Sequence, residues 1–354
     1  MAPSMMNRGR LSMDGIPTCD LEAAERLETS EWFAFWAARG DTYATLGAEA
    51  SERGHRRTAG QLTWLGSLCW QYAQYLWYHD PARREEGQRR KVELYDAAAP
   101  DLDPPAERVN VPIDDTEIPG FLRVPAGRRD DERVPLAVLL GGLESTKEES
   151  YSFENELLAR GIATYAFDGP GQGEMYFSVK LRPDFERYTS AVLDHLLVRP
   201  EIDPGRVSVV GRSLGGHYAL KSASADDRFA ACVSWGGFFD MADWDNRGIL
   251  AREAYRYVIG APDLDGAKRV AQMSLDCAPV IEGLRCPTLH HHGALDAIQL
   301  DQLDRLRSGA VNAPLEVIVE REGDHCCHNL GPRARFAMID WLEEQLSAVA
   351  VSRG

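Results

Sequence analysis

The chain contains 354 residues, enough for about two ordinary domains or for one large domain with an insertion. Apolar residues make up 44% and charged residues 27%, as in globular proteins, which excludes a disordered or collagen-like chain. A formal net charge of −16 would repel phosphate backbones, so we expect no nucleic acid partner.

Targeting and cross-linking signals are absent from the sequence. The first twenty residues have no apolar core of the secretory type, and we expect residues 1–20 to form a disordered N-terminus. No window approaches about 18 uninterrupted apolar residues, so no membrane span is predicted. The seven cysteines are scattered and form no CxxC pair, which argues against a disulfide framework. Together these features predict a cytoplasmic protein.

Residues 21–105 have the pattern of successive helices and are rich in aromatic side chains. The stretch 61–78 is apolar on nearly every face, but Gln71 and Gln74 interrupt it, so burial within the protein explains it better than lipid does. The aromatic residues are interpreted either as helical core or as the lining of a pocket above a site. Five of the eight tryptophans lie here: Trp32, Trp36, Trp64, Trp70 and Trp77.

Residues 106–354 alternate short β-rich runs with amphipathic helices, which predicts an α/β fold: a mostly parallel sheet with helices on both faces. The first runs follow one another without a helix, so an antiparallel start is expected. The candidate strands are Arg108–Ile113, Phe121–Val124, Leu136–Leu140, Ile162–Phe167, Arg206–Val210, Ala230–Trp235, Thr288–His291 and Leu315–Val319.

A Gly-Gly loop follows the third candidate strand, in the sequence LGGLESTKEE of residues 140–149. Such a loop can direct backbone N–H groups toward a substrate oxygen, and the N–H of Leu143 is one predicted oxyanion-hole donor. Gly142 and Glu144 are candidates for the wall of a substrate pocket.

A second glycine loop, DGPGQG at residues 168–173, follows the next strand. It lacks the lysine of a P-loop and the spacing of a dinucleotide-binding motif, so we interpret it as an active-site wall that includes Asp168.

The strongest local signal is GRSLG at residues 211–215, between a β-rich run and a helical stretch. This is a G-x-S-x-G nucleophile elbow in the strand–turn–helix context that the motif requires. It predicts Ser213 as the nucleophile and the N–H of Leu214 as the second oxyanion-hole donor.

The sequence WGGFFDMADWD, residues 235–245, follows a core strand and is expected to face the helical segment. Trp235, Asp240 and Trp244 are therefore further pocket candidates. One carboxylate among Asp240, Asp243 and Asp245 could assist a leaving group, although loop carboxylates are usually only solvated.

A serine nucleophile needs a base and a group that orients the base. Asp296 lies just after the strand that contains PTLHHHG and is the predicted orienting acid, whereas Asp301 and Asp304 fall in the following helix pattern. In the loop after the last strand, GDHCCH favours His325 as the base over His328.

A metal site is the competing interpretation of the histidine- and cysteine-rich stretches. His290, His291, His292 and the 325–328 loop hold enough nitrogen and sulfur. Consecutive strand residues point to opposite faces, however, so adjacent histidines cannot all converge, and we expect neither a metal nor a cofactor.

Taken together, the motifs resemble the α/β-hydrolase superfamily over roughly residues 108–350. The helical segment ahead of these motifs, GGLESTKEE in residues 141–149 (the predicted oxyanion loop), FDGPGQGE and GDHCCHN are similar to one branch. That branch holds the fermentation-respiration switch protein, 2,6-dihydroxypseudooxynicotine hydrolase and fungal heptaketide-shortening hydrolases. The resemblance implies the same triad of Ser213, Asp296 and His325, with residues 21–105 as a cap over the active site. It also implies cleavage either of a carbon–carbon bond next to a ketone or of an ester.

The sequence therefore predicts a serine-triad hydrolase that acts on an aromatic or polyketide-like small molecule. A carboxylesterase with the same triad is the second hypothesis. A regulatory binding protein with an incidental hydrolase core is the third, and the intact triad argues against it. Because the helical segment has more apolar surface than isolated helices can hide, we also expect a homodimer.

Overall fold

The computed structural model describes residues 7–353. Five helices precede the first strand, namely α1 (Arg8–Asp14), α2 (Thr18–Ala24), α3 (Trp32–Glu52), α4 (Arg56–Gln74) and α5 (Pro81–Ala98). Seven follow among the strands, namely α6 (Tyr151–Leu158), α7 (Phe185–Leu196), α8 (Leu214–Ala225), α9 (Ile249–Ile259), α10 (Leu264–Ser274), α11 (Asp301–Gly309) and α12 (Pro332–Arg353). Within this range, no helix combines the length and the apolar character that a membrane crossing requires.

One eight-stranded sheet forms the centre of the molecule, with the strand order β1-β2-β4-β3-β5-β6-β7-β8. The strands are β1 (Ala106–Ile113), β2 (Thr116–Arg123), β3 (Val134–Leu140), β4 (Ala163–Phe167), β5 (Ile202–Arg212), β6 (Phe229–Trp235), β7 (Thr288–Gly293) and β8 (Leu315–Glu320). The β1–β2 and β2–β4 pairs are antiparallel, and all other pairs are parallel.

The predicted fold class is confirmed, and all eight candidate strands exist. Every residue of β4 and every residue of β7 is buried, because helices cover both faces of the parallel part of the sheet. This double cover explains why these strands appear in the sequence as short uninterrupted runs rather than as alternating patterns. The motifs predicted to be catalytic consequently follow the carboxyl ends of the parallel strands, at one edge of the sheet.

The helical segment packs its aromatic residues into a core of its own. Trp32 and Trp36 are fully buried, and their rings meet edge to face at 5.7 Å. Gly40 allows α3 to approach α4 closely, since a Cβ there would lie 2.4 Å from the ring of Trp70. This core continues onto the sheet and its helices through Phe121 of β2 and Tyr151 of α6.

The expected disorder of residues 1–20 is wrong for the part that the structure describes; residues 1–6 lie outside it. Asn7 caps α1 by accepting a hydrogen bond from the N–H of Arg10 at 2.9 Å, and Leu11 is fully buried. A Cβ on Gly9 would lie 2.4 Å from the carbonyl oxygen of His328, so α1 lies against the histidine-containing loop. The sequence of α1, RGRLSMD, contains one fully buried leucine among polar and charged residues, so it has no apolar periodicity that would predict a helix.

Candidate active site

Ser213 lies on a tight turn between β5 and α8, with φ 59° and ψ −118°. Two glycines permit this turn. A Cβ on Gly211 would lie 1.9 Å from the carbonyl oxygen of Gly215, and a Cβ on Gly215 would lie 2.1 Å from that of Leu140. The Ser213 N–H donates to the carbonyl of Trp235 at 2.7 Å, which fixes the turn against β6. The geometry is that of a nucleophile elbow, as the sequence predicts.

The three predicted triad side chains meet in one hydrogen-bonded chain. The Ser213 hydroxyl lies 2.8 Å from Nε2 of His325, and Nδ1 of His325 lies 2.7 Å from Oδ2 of Asp296. The second oxygen of Asp296 accepts the N–H of Ile298 at 2.9 Å, so this carboxylate is held at both oxygens. The predicted nucleophile, base and orienting acid thus lie in the order that triad chemistry requires.

The charges around these side chains favour an ion pair between a protonated His325 and the Asp296 carboxylate. Burial raises the pKa of Asp296, but attraction to His325 and the hydrogen bonds to its carboxylate outweigh burial, and its pKa is lowered overall. Burial lowers the pKa of His325, whereas Cys326 and the Asp296 carboxylate raise it, and its pKa ends well above the usual value. A protonated His325 is therefore stabilised, which the predicted role of this histidine as the base requires.

The loop with Leu143 lies directly beside the nucleophile. A Cβ on Gly142 would lie 3.3 Å from Cβ of Ser213, a spacing that leaves little room for any side chain there. Gln172 holds this loop, because its Nε2 donates to the carbonyls of Gly141 at 2.6 Å and of Gly142 at 3.2 Å. The sequence did not identify Gln172 as a positioning residue, although the DGPGQG motif contained it.

Asp168, a predicted pocket residue, does not line the active-site cavity. Its carboxylate accepts a hydrogen bond from the Lys147 ammonium at 2.9 Å. It accepts two more from backbone N–H groups, those of Lys147 at 2.9 Å and Glu174 at 3.0 Å. Lys147 is fully buried and also pairs with Glu148 at 2.6 Å and with Glu174. The three carboxylates cluster closely enough to share an ion, but the Lys147 ammonium lies among them. Asp168 therefore joins the two glycine loops.

A buried charge cluster connects α1 to the nucleophile strand. Arg10 donates to Glu149 at 2.6 Å, and Asp14 pairs with Arg212 at 2.9 Å. Arg212, which directly precedes Ser213, also pairs with Glu149 at 3.0 Å and donates to the Ser145 hydroxyl at 2.9 Å. This cluster joins the N-terminal helix, the oxyanion loop and β5. No motif in the sequence indicated it.

The triad opens into a cavity of about 350 Å³. Tyr75 and Leu76, directly after α4, form part of its wall, and α9 contributes Ala254 and Tyr255. Leu76 has a positive φ of 56°, a strained conformation at the point where the helical segment meets the site. The complete lining is Arg10, Tyr75, Leu76, Gly142, Leu143, Glu144, Ser145, Arg212, Ser213, Arg247, Gly248, Leu250, Ala251, Ala254, Tyr255, Asp296, Ala297, Ile298, His325, Cys326 and His328.

Of the predicted pocket residues, Gly142 and Glu144 line the cavity, and Trp235, Asp240 and Trp244 do not. Trp235 donates its indole N–H to the carbonyl of Cys326 at 2.6 Å and supports the histidine loop from behind. Asp240 pairs with Arg305 at 2.6 Å, and Trp244 is buried against Tyr255.

The remaining leaving-group candidates are also engaged elsewhere. Asp243 pairs with Arg247, and Asp245 pairs with Lys268. None of the five tryptophans of the helical segment lines the cavity either; Tyr75 is the aromatic residue that this segment contributes.

The other histidines occupy different environments. His328 lines the cavity but lies outside the Ser213–His325–Asp296 chain, and burial lowers its pKa well below the usual value. His290 and His292 share one face of β7, and His290 lies 3.1 Å from the Ser234 hydroxyl while His292 lies 3.1 Å from the carbonyl of Ile298. His291 lies near Glu320 at 3.6 Å. The three adjacent histidines do not converge.

Comparisons with known proteins agree with this architecture. Residues 26–245 match the family described as esterase FrsA-like, and residues 150–348 match the prolyl oligopeptidase family. The 2,6-dihydropseudooxynicotine hydrolase of Paenarthrobacter nicotinovorans is 44% identical over 97% of this chain and 93% of its own length. The 20-hydroxy-prefusarin hydrolase FUS2 of Gibberella moniliformis is 32% identical over 60% of this chain and 54% of its own.

Solved structures give the same result. The crystal structure of the 2,6-dihydroxy-pseudo-oxynicotine hydrolase superposes with a TM-score of 0.92 at 43% identity, covering 97% of this chain and 96% of that one. The match includes the helical segment as well as the sheet. The chain is thus a hydrolase of the α/β-hydrolase superfamily and belongs to the FrsA-like family within it.

Proposed function

We propose that this enzyme is a serine hydrolase in which Ser213 is the nucleophile, His325 the base and Asp296 the orienting acid. The observation that carries the proposal is the hydrogen-bonded chain of these three side chains at the wall of the 350 Å³ cavity. Binding alone would not require a serine, a histidine and an aspartate in this order. The N–H groups of Leu143 and Leu214 are the proposed oxyanion-hole donors.

In the proposed first step, His325 takes the Ser213 proton while Oγ attacks the substrate carbonyl carbon. The tetrahedral oxyanion accepts hydrogen bonds from the N–H groups of Leu143 and Leu214. Collapse then expels the leaving group, to which His325 returns the proton. Water attacks the acyl-serine in the second half of the reaction, with His325 again acting as the base.

The proposed substrate is an aromatic or polyketide-like small molecule, cleaved at a carbon–carbon bond next to a ketone. The cavity volume suits one small molecule, and Tyr75, Leu76, Leu250, Ala251, Ala254, Tyr255 and Ile298 give its wall a largely apolar surface. The resemblance to the branch with aryl and polyketide substrates supports this reaction, as does the 44% identical relative named for a hydrolase of an oxynicotine compound.

Ester hydrolysis is the second candidate. The esterase description of the family that matches residues 26–245 favours it, and the same triad and oxyanion hole would serve. The two reactions differ in the leaving group: an alkoxide leaves readily, whereas a carbanion must be delocalised onto an oxygen before it can leave.

Turnover of an aryl ester and of an aryl β-diketone, each with wild type and Ser213→Ala, tests the proposal. We expect wild type to cleave both compounds and Ser213→Ala to lose at least about 10³-fold on each. Cleavage of the ester alone would leave the carboxylesterase as the function. Diketone turnover that survives in Ser213→Ala would refute the serine mechanism.

We further propose that residues 21–105 act as a cap and that residues 106–354 form the catalytic domain. The contribution of Tyr75 and Leu76 to the cavity wall supports the cap. A homodimer and a cytoplasmic location are proposals that rest on the sequence.

A further inference from the structure

Glu144 is a buried carboxyl group in the wall of the active-site cavity, and only 7% of its side chain is exposed. It follows Leu143, the proposed oxyanion-hole donor, in the loop beside Ser213. Its Oε1 is fully buried and has no hydrogen-bond partner among the described residues. A polar atom buried without a partner is costly, and a ligand that supplied the partner would remove that cost.

The contacts of the other carboxyl oxygen are long. Oε2 lies 3.4 Å from the N–H of Leu76 and 3.4 Å from both terminal nitrogens of Arg84. Arg84 makes a better bond to the carbonyl of Gln74, at 2.9 Å. The titratable and charged groups that face Glu144 come from α1, α4, α5, its own loop and the wall of a small adjoining cavity: Arg10, Tyr75, Arg84, Glu149, Tyr176 and Tyr257.

Glu149, five residues along the same loop, shows what a structural carboxylate looks like here. Its Oε1 accepts Gln71 at 2.7 Å and the N–H of Thr146 at 3.1 Å, and its Oε2 accepts Arg10 and Arg212. Both oxygens are thus satisfied, as a buried anion requires. The contacts of Glu144, to the Leu76 N–H and to Arg84, are fewer and longer, so its surroundings stabilise the ionised form less.

Burial is the largest influence on Glu144 and raises its pKa to about 8, while the Leu76 N–H and Arg10 lower it and Glu149 raises it further. Near neutral pH the group is therefore mainly a carboxylic acid. A neutral carboxyl group offers an O–H donor, which a carboxylate does not. An active-site wall that is otherwise largely apolar thus holds a donor beside the oxyanion loop.

We propose that Glu144, as a carboxylic acid, donates a hydrogen bond to the leaving-group oxygen on which charge develops when the carbon–carbon bond breaks. The substrate class is then a ketone whose leaving carbon is conjugated to a second oxygen, either a β-carbonyl or a ring oxygen. This inference rests on the proposed carbon–carbon cleavage. It assigns the specificity of the site to a donor outside the triad.

The step balances without any further reactant. The electron pair of the broken bond moves onto the leaving carbon and is delocalised onto the oxygen that Glu144 contacts. The proton that His325 took from Ser213 passes to the leaving group, and Glu144 keeps its own proton. Water then converts the acyl-serine to a carboxylic acid and restores the Ser213 hydroxyl.

The test uses the full-length enzyme with phenyl acetate and benzoylacetone as substrates, over a range of pH. The variants are Glu144→Gln, which keeps a non-titrating donor, and Glu144→Ala, which removes it. The matched control is Glu154→Gln. Glu154 is also buried and also has an oxygen without a hydrogen bond, but that oxygen lies 3.5 Å from Arg123, and the residue does not line the cavity. Thermal melts verify folding.

For wild type we expect benzoylacetone cleavage to fall as the pH rises through about 8, because Glu144 then loses its proton and gains a charge that opposes the developing anion. Glu144→Ala should lose about 10²-fold in kcat on benzoylacetone and distinctly less on phenyl acetate. Glu144→Gln should keep activity within about tenfold and lack this basic limb. Glu154→Gln should keep both the limb and the substrate ratio.

Two results would overturn the inference although wild type cleaves the diketone: equal losses on both substrates in Glu144→Ala, or an unchanged basic limb in Glu144→Gln. A wild type that cleaves phenyl acetate but not benzoylacetone would instead overturn the proposed carbon–carbon function, and this inference with it. The two failures are distinguishable because only the second appears in the wild type.

Discussion

At the residue scale, the backbone of Ser213 holds its side chain in place. A non-glycine residue at φ 59° costs of order 1–3 kcal/mol, and it persists only where its surroundings impose it. Here the N–H of Ser213 is bonded to Trp235, and Gly211 and Gly215 leave room for the turn and for nothing larger. The hydroxyl is consequently presented to His325 without a side-chain rearrangement, which reduces the entropy that the reaction must overcome.

The first prediction concerns the triad as a unit. Ser213→Ala, His325→Ala and Asp296→Asn should each lower kcat by about 10³-fold or more on a fast aryl ester, because each breaks the same hydrogen-bonded chain. Single-turnover kinetics measures this loss, and circular dichroism verifies folding. If His325→Ala keeps its activity while His328→Ala is inactive, the base has been assigned to the wrong histidine.

The second prediction concerns pH. Because the pKa of His325 is raised, the neutral base is present only above that pKa, and kcat/KM on the ester should decline on the acid side at a pH above the usual histidine value of about 6.5. Asp296→Asn removes one of the charges that raise the pKa of His325. The pKa of His325, measured by NMR titration, should therefore be lower in this variant than in wild type. An unchanged titration would show that Asp296 does not set the charge of the base.

The sequence predicted the residues that have short-range signals. Ser213, Asp296 and His325 each lie beside a glycine turn at the end of a strand, so local pattern and chain order were sufficient. Arg10 and Tyr255 carry no such signal, because they reach the cavity through the packing of α1 and α9. Trp235 was misplaced for a related reason: a residue next to a functional loop can support that loop from behind.

At the scale of elements, α1 is a short helix with a large role in positioning. Isolated helices of seven residues do not persist in water, so α1 must be held by its tertiary contacts. The Arg10–Glu149 and Asp14–Arg212 pairs supply these contacts, and Arg335 adds a hydrogen bond to the carbonyl of Met13 at 3.0 Å. The helix thereby ties the strand before Ser213 to the oxyanion loop.

Asp14→Asn should destabilise the fold by about 3–5 kcal/mol, because it leaves the charge of Arg212 buried with one partner fewer. Urea unfolding measures this loss. Attraction from Arg212 and Arg10 outweighs burial and lowers the pKa of Asp14, so its contribution is present above the usual aspartate pKa and is lost as the pH falls through the lowered value.

Glu25→Gln provides the matched control, since the Arg8–Glu25 pair at the surface should contribute at most about 1 kcal/mol. A loss in Asp14→Asn no larger than this would show that α1 is dispensable.

The strands were predicted better than this helix for a physical reason. The strands β3, β4, β6 and β7 are buried on both faces and so consist of recognisable apolar runs, as in β3 with VPLAVLL. α1 buries charges instead, and a helix held by ion pairs to residues more than 130 positions away leaves no periodic pattern. The exchange of β3 and β4 in the strand order also depends on packing of the crossover helices rather than on local sequence.

At the scale of the whole molecule, the apolar core of the helical segment extends to Phe121 of β2 and Tyr151 of α6. A second subunit was expected from the apolar surface of this segment, but its tryptophans are covered within the chain, Trp32 and Trp36 completely. The apolar excess of the segment is thus largely accounted for without a partner. Sedimentation equilibrium decides the proposed homodimer: a mass twice that of the chain supports it, and a monomer at micromolar concentration refutes it.

The last prediction concerns a variant that lacks the proposed cap but keeps α1 and the proposed catalytic domain. Deletion of residues 21–105 should expose Phe121 and Tyr151 together with the rim of the cavity, and an apolar patch of that kind promotes aggregation. Any folded fraction should lack substrate selectivity, because the wall that Tyr75 and Leu76 provide is gone and water enters the site.

A point variant separates the role of the cap in binding from its role in folding. Tyr75→Ala in the full chain should fold and raise KM about tenfold, equivalent to about 1.4 kcal/mol of lost binding free energy. Size-exclusion chromatography of the deletion and steady-state kinetics of Tyr75→Ala together test the cap. The cap is contradicted if the deletion variant is monomeric, does not aggregate and keeps full activity, and if Tyr75→Ala leaves KM unchanged. Residues 106–354 would then form the site alone.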